Sequence, residues 1–134
     1  MRVAIRRTAD RGTVGRLDRL CFPDDAPAVL TDAELWLATS GGRPVGFAVA
    51  AQPAPDIVFL RRAGVLPAAR GRGVHRRLIA VRVRWARRQG ARWVVTYTSR
   101  DNGPSMRGLL EAGFEVYEPE DAYVGPQVYF RRRL

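Results

Sequence analysis

The stretch from Ile57 to Gln89 constrains the fold more than any other part of the chain. Ile57 to Val65 reads as an apolar strand, and Pro67 to Gly73 as a loop carrying two glycines, Gly71 and Gly73. Val74, Leu78, Val81 and Trp85 then recur at intervals of four, three and four residues, the spacing of one helical face, and Gly90 closes the helix begun at Val74. A strand, a tight loop and a long amphipathic helix in this order require a sheet for the strand to join and an apolar surface for the helix to cover. The pattern predicts an α+β protein of three layers, α/β/α.

The flanking segments fit the same architecture. Arg2 to Arg6 alternates like a half-buried first strand, and Thr8 or Asp10 can cap a helix with Val14, Leu17 and Leu20 on one face, which Pro23 ends. Thr31-Asp-Ala-Glu34 has the spacing of a capping box and predicts a short helix before a strand at Leu35 to Thr39. Ser40 to Arg43 is a turn, Val45 to Ala50 is the second arm of a hairpin, and Pro53 and Pro55 break the chain after it. Arg92 to Thr98 is β-branched and aromatic, the strongest strand signal present. Pro104 suits the opening of a helix over Ser105 to Ala112, Gly113 ends it, and Glu115 to Tyr117 and Gln127 to Arg132 supply two last strands. The sum is a mixed, mostly antiparallel sheet of six to seven strands with about four helices. With neither repeat nor linker, residues 1–134 are expected to form a single domain.

Several function classes are excluded by composition. No apolar run approaches the ~20 residues of a membrane span, and the charged start MRVAIRRTAD lacks a signal-peptide core, so a cytoplasmic protein without membrane partners is expected. One cysteine, Cys21, and one histidine, His75, supply neither an internal disulfide nor a closed metal site, so no metal is expected. All 23 basic residues are arginine, and the net charge is +10. Twelve of those arginines, and no acid, lie between Ile57 and Arg100. An unpaired basic segment needs water or an anionic partner, and tRNA, DNA or the ribosome is one such partner.

The loop Val65-Leu-Pro-Ala-Ala-Arg70-Gly-Arg-Gly-Val-His75 carries the clearest chemistry. Glycines let backbone approach a ligand closely, and the free amides and positive dipole end of the following helix favour phosphate there. Arg70, Arg72 and Arg76 add charge. A dinucleotide fingerprint would need glycine where Arg76 stands, and a nucleoside-triphosphate loop would need Gly-Lys-Ser/Thr, which is absent.

These residues resemble the signature of the GNAT acetyltransferase superfamily: Gln or Arg, two residues, Gly, one residue, then Gly or Ala. Arg70 and Gly73 fit, and His75 replaces the final small residue. Asn102, Ser105, Gly113 and Phe114 stand at the spacing of the family's later Asn, Ala, Gly and Phe, and Leu20-Cys-Phe-Pro23 resembles the early segment of the bacterial ribosomal-protein N-terminal acetyltransferases. The resemblance implies acetyl-coenzyme A held between the strands at 57–65 and 92–98, its pantetheine arm along Ala63, Gly64 and Val65. It further implies a pyrophosphate beside Arg70 on the amides of Gly71, Arg72, Gly73, Val74, His75 and Arg76, with Asn102 and Ser105 nearby.

The resemblance also implies an altered catalytic apparatus. The superfamily's usual general acid, a tyrosine seven residues after the motif Asn, falls on Leu109, and the ribosomal-protein subgroup's glutamate base falls on Tyr97. Tyr97 is the candidate to protonate the leaving sulfur or orient a water, and Tyr129 is the reserve; Asp56, Glu34 and Asp101 are conceivable bases. A thiol of pKa about 8.5 leaves readily enough that losing one proton-transfer residue, worth about 10²–10⁴ in rate, slows transfer without abolishing it. His75 is expected over phosphate rather than at the acetyl group, Cys21 to be packed, Trp36, Trp85 and Trp93 to be core or pocket wall, and Arg131 to Arg133 to be a solvated end. Three readings follow. The first is an acetyl-coenzyme A-dependent N-acetyltransferase whose amine acceptor is a small molecule, a protein N-terminus or an RNA-linked amine. The others are a coenzyme-binding relative without catalysis and an arginine-rich nucleic-acid module.

Overall fold

The computed structural model describes residues 1–121 and 127–134. Its strands are β1 (Ala4–Thr8), β2 (Glu34–Ser40), β3 (Arg43–Ala54), β4 (Ile57–Val65), β5 (Trp93–Thr98), β6 (Glu115–Tyr117) and β7 (Val128–Arg133). The helices are α1 (Arg11–Cys21), α2 (Val74–Arg88) and α3 (Gly103–Glu111), with a 3-10 turn at Pro67–Ala69. One sheet of seven strands runs in the order β1-β2-β3-β4-β5-β7-β6. Every neighbouring pair is antiparallel except β4 and β5.

Strand alternation divides the core between the two faces of the sheet. Leu35, Phe47 and Val49 pack with Val14 and Leu17 of α1. Their neighbours Trp36, Ala38, Ala48 and Ala50 cluster with Val74, Leu78, Ile79, Val83 and Trp85 of α2 and with Leu109 and Phe114. Small alanines on β3 are what let α2 lie close to the sheet, and Trp36 meets Trp85 edge to face at 5.8 Å between centroids.

Three local expectations are corrected. The Thr31 to Glu34 spacing nucleates no helix: Asp32 has φ of 50°, outside the right-handed helical region, and Glu34 already pairs in β2 while its carboxylate meets Arg7. Hence three α-helices and one 3-10 turn, rather than about four helices, are found among the described residues. Leu20, expected on the inner face of α1, is 66% exposed, and Asp18 is buried instead. Asp18 follows Val14 and Leu17 at four and one residues, so it falls on the same face; its Oδ1 accepts from Arg62 Nη1 at 2.9 Å and its Oδ2 from the amide of Ala28 at 2.9 Å. The pair pins the segment after α1 onto β4. Finally, β3 runs through Pro53 to Ala54, because a register shift between Ala51 and Ala54 relieves the ladder where proline offers no N–H.

Gly64 shows how closely α1 and the sheet approach. It stands opposite Phe47 in the β3–β4 ladder, and a Cβ there would lie 2.9 Å from Phe47 Cε1 and 3.0 Å from both Cβ and Sγ of Cys21. None of those atoms is the free end of a long chain. Gly64→Ala is therefore expected to destabilise the fold by about 1–3 kcal/mol, the usual cost of overpacking, read as a lower urea midpoint at unchanged m. A midpoint equal to wild type would show that α1 is free to move away.

Candidate active site

Parallel pairing of β4 with β5 covers only Ile57–Trp93, Val58–Val94 and Phe59–Val95. Beyond it β4 follows β3 to Val65, and β5 follows β7 to Thr98, so the sheet opens into a wedge. The Thr96 hydroxyl, donating to Leu60 O at 2.9 Å, is the link at the closed end. At the same level the β3–β4 ladder shifts register between Ala48 and Ala50, so that Val49 faces two β4 residues, Arg61 and Arg62, in a bulge. Carbonyls freed by a bulge need donors. Arg82 supplies them from α2: Nη1 donates to Val49 O at 3.2 Å and to Arg61 O at 3.1 Å, and Nε donates to Leu78 O at 3.0 Å. Arg82 is 2% exposed, and burial pulls its pKa down to about 9, which leaves it charged at neutral pH.

The wedge holds a chamber of about 550 Å³, walled by Phe59, Arg61, Arg62 and Ala63 from β4, by Tyr97 and Thr98 from β5, and by Leu109 and Gln127. Its roof is the segment after α1. Phe22, Asp25 and Ala26 line it there. Arg62 holds that roof through Asp18 and Ala26 O and lies over the Phe22 ring at 4.9 Å, while Arg61 donates to Val29 O and Thr31 O.

Beside the chamber runs a groove of about 470 Å³ between the α2 N-terminus and α3. Chamber and groove share Ala63, His75, Asn102 and Ser105, so they form one opening. The helix ends around it differ. α1 is capped by Asp10, whose Oδ1 accepts from Thr13 N at 3.0 Å, and α3 by Asn102, whose Oδ1 accepts from Ser105 N at 3.1 Å. At α2 the cap is Gly73, which has no side chain to satisfy the first amides. Gly71 and Gly73 have φ of 76° and 74°, the left-handed region, and a Cβ at either would meet nothing within 4 Å. What makes glycine necessary at both is backbone conformation, and the space in front of them is open.

Of the residues the sequence marks for the coenzyme, Ala63, Val65, Arg70, Gly71, Gly73, Val74, His75, Arg76, Asn102 and Ser105 line the groove. Two do not. Gly64 turns toward Phe47 and Cys21, and Arg72 is exposed at the loop tip. Arg70 bends back so that Nε donates to Val65 O at 2.9 Å, and Arg76 pairs with Glu111 across the groove at 3.3 Å. Burial above all, with the Arg82 charge adding to it, pushes the pKa of His75 down to about 4, so a neutral imidazole stands at the junction.

The catalytic candidates separate. Tyr97 lines the chamber, with its ring 5.8 Å from that of Phe59 and 6.3 Å from that of Tyr129. Tyr129 is 7% exposed within the sheet and is not part of the chamber wall. Leu109, at the position of the missing tyrosine, is a wall residue, so an apolar side chain takes that place. Asp56, Glu34 and Asp101 are all outside the wall; the carboxylate on it is Asp25. Cys21 is packed against Gly64, and burial raises its thiol pKa further from reactivity. Trp36 and Trp85 are core, whereas Trp93 lies under Arg131. The terminal arginines are engaged too: Arg131 bonds Glu115 at 2.8 Å, and Arg132 Nη1 donates to Ala112 O at 2.8 Å.

Sequence reasoning missed Asp25, Arg62, Arg82, Arg107 and Gln127. Arg107 lines the groove from α3, and its place three residues after Pro104 on a short helix was the available signal. The others depend on contacts between distant segments.

Residues 4–114 match the Acetyltransferase (GNAT) family. The chain is 34% identical over 113 residues to an aminoglycoside N(6')-acetyltransferase type 1 of Salmonella typhimurium, covering 72% of this chain and 77% of that protein. It is 30% identical over 92 residues to a mycothiol acetyltransferase of Corynebacterium glutamicum, covering 69% of this chain and 32% of the relative, so it spans about a third of that protein's length. Among solved structures, a Bacillus subtilis acetyltransferase in complex with CoA superposes with a TM-score of 0.81 over 99% of both chains at 16% identity, a likeness of fold. With the family pattern running from the first strand to the end of α3, the protein belongs to the GNAT family of acetyltransferases.

Proposed function

We propose that residues 1–134 act as one cytoplasmic acetyltransferase domain, which moves the acetyl group of acetyl-coenzyme A directly to an amine. One observation carries the reading: an uncapped helix N-terminus with two left-handed glycines opens without interruption into a chamber between splayed strands. In this reading the amides from Gly71 to Arg76 take the pyrophosphate, with the helix dipole, Arg70 and Arg107 favouring its charge. The free edge of β4 at Ala63 and Val65 receives the pantetheine amides, and the thioester reaches the chamber past His75. There the amine lone pair attacks the carbonyl carbon, the C–N bond forms as the C–S bond breaks, coenzyme A leaves as the thiolate to be protonated, and the amine proton passes to solvent. An amine of pKa near 8 is often neutral and needs little base, whereas one near 10.4 needs a group to take its proton.

Leu109 on the chamber wall favours a second reading, a coenzyme-binding relative without turnover. The two differ in free thiol released from acetyl-coenzyme A in the presence of amines, which the first requires and the second forbids.

Acetyl-coenzyme A is expected to raise Tm by several degrees, since binding to the folded state alone adds about 2.7 kcal/mol at a hundredfold excess over Kd. Gly73→Val should fold yet lose that shift, because a β-branched residue resists the left-handed conformation and its side chain would project toward the bound phosphates. A full shift in the variant would place the phosphates elsewhere.

Tyr97 is the proposed proton donor to the leaving sulfur. Tyr97→Phe is expected to lower kcat by roughly ten- to a thousandfold with the coenzyme-induced shift nearly intact, and Leu109→Tyr to recover part of the loss by returning a hydroxyl to the chamber wall. Unchanged kcat in Tyr97→Phe would reduce the residue to packing.

A further inference from the structure

Two groups of opposite polarity on the chamber wall lack partners. Three N–H bonds of Arg82 are directed to carbonyls, but Nη2 makes no hydrogen bond among the described residues, although the side chain is 2% exposed and belongs to the wall. No carboxylate pairs with Arg82 among the described residues. Gln127 Oε1 is buried on the same wall and accepts no hydrogen bond. Gln127 Oε1, buried and open, costs stability unless something answers it, and Arg82 presents a charged donor on the same wall.

The surrounding charges narrow what that something is. Arg61 also lines the chamber and is held by main-chain carbonyls rather than by an acid. Arg62 is matched by Asp18. The wall's own carboxylate, Asp25, is exposed at the rim. A ligand with several positive charges would face two arginines unmatched by acids, so the chamber disfavours polycationic amines, and a ligand satisfying both open groups must bring an anion to one and an N–H to the other.

We propose that the acceptor is a small primary amine carrying a compact oxyanion, carboxylate or phosphate, with the oxyanion on Arg82 and an amine N–H on Gln127 Oε1; this rests on the acetyltransferase reading above. Gln127 is then a positioning residue: by accepting one N–H it turns the amine lone pair toward the thioester. The preference separates this chain from an enzyme for aminoglycosides, despite its likeness to one.

The test uses the full chain with acetyl-coenzyme A, read as free thiol, on matched pairs: phosphoethanolamine against ethanolamine, and single α-amino acids such as glycine and leucine against their carboxamides. The carboxamides are the less basic amines and react faster unaided, so chemistry alone runs against the proposal. At least tenfold higher kcat/KM for the anionic member is expected in one family or the other, and the family that shows it tells phosphate from carboxylate. Gln127→Leu should raise KM for the preferred acceptor at least tenfold while the acetyl-coenzyme A shift in Tm stays as in wild type; this variant leaves the Arg82 bonds to the bulge untouched. The proposal is overturned if neutral members match or exceed anionic ones, if spermidine or kanamycin is turned over faster than any anionic amine, or if Gln127→Leu leaves KM unchanged. It also falls if acetyl-coenzyme A raises Tm but no pair member releases thiol. Absence of any coenzyme shift would instead sink the reading beneath it.

Discussion

The short parallel contact between β4 and β5 is the feature on which the rest of the molecule depends. Three residue pairs hold two halves of a seven-stranded sheet together, and past Phe59 and Val95 the strands part. Parting leaves backbone groups without ladder partners, at about 1–3 kcal/mol for each that stays buried and unmet. Thr96 answers Leu60 across the split, and beside it Arg82 answers Val49 and Arg61, whose carbonyls the β3–β4 bulge leaves free. The opening is thus held by specific donors as well as by packing, and the same donors set the chemistry of its walls.

The arginine-rich segment takes on a different meaning in this light. As composition it suggests an anionic macromolecule. In the fold, Arg61, Arg62, Arg70, Arg77 and Arg82 all donate to main-chain carbonyls, tying the roof, the loop before α2, the chain before β1 and the bulge. Guanidinium suits this work because one planar fork reaches two acceptors at once. The excess of arginine over acid is in part the consequence of acceptors that are carbonyl oxygens, which draw on the charge without appearing in a count of acidic residues.

What the sequence displayed, and what it hid, follows from the range of the forces involved. β4, β6 and the start of α2 are where local pattern puts them, because β-branching, glycine and helical periodicity act over a few residues. The glycine loop was legible for the same reason: left-handed φ at Gly71 and Gly73 is a local demand. Thr31 to Glu34 had a helical signature, but pairing of Glu34 in the sheet overrode it. Asp18 and Arg82 were hidden because each is a charged residue on a buried face, made tolerable by a partner 44 or 21 residues away in the chain. Gln127 had no local signal either; its interest lies in the partner it lacks.

His75 joins the two halves of the site electrically. In the family pattern its position belongs to a small residue, and an imidazolium there would extend the positive charge of the helix end into the chamber. Burial and the neighbouring Arg82 keep it neutral, so charge along the opening is graded: the helix end with Arg70, Arg76 and Arg107, then an uncharged junction, then Arg82 beneath the chamber. Leu109 puts an apolar side chain on the wall that also carries Arg82, so the fixed charge there acts in a poorly screened space with no titrating group at the position of the family's tyrosine.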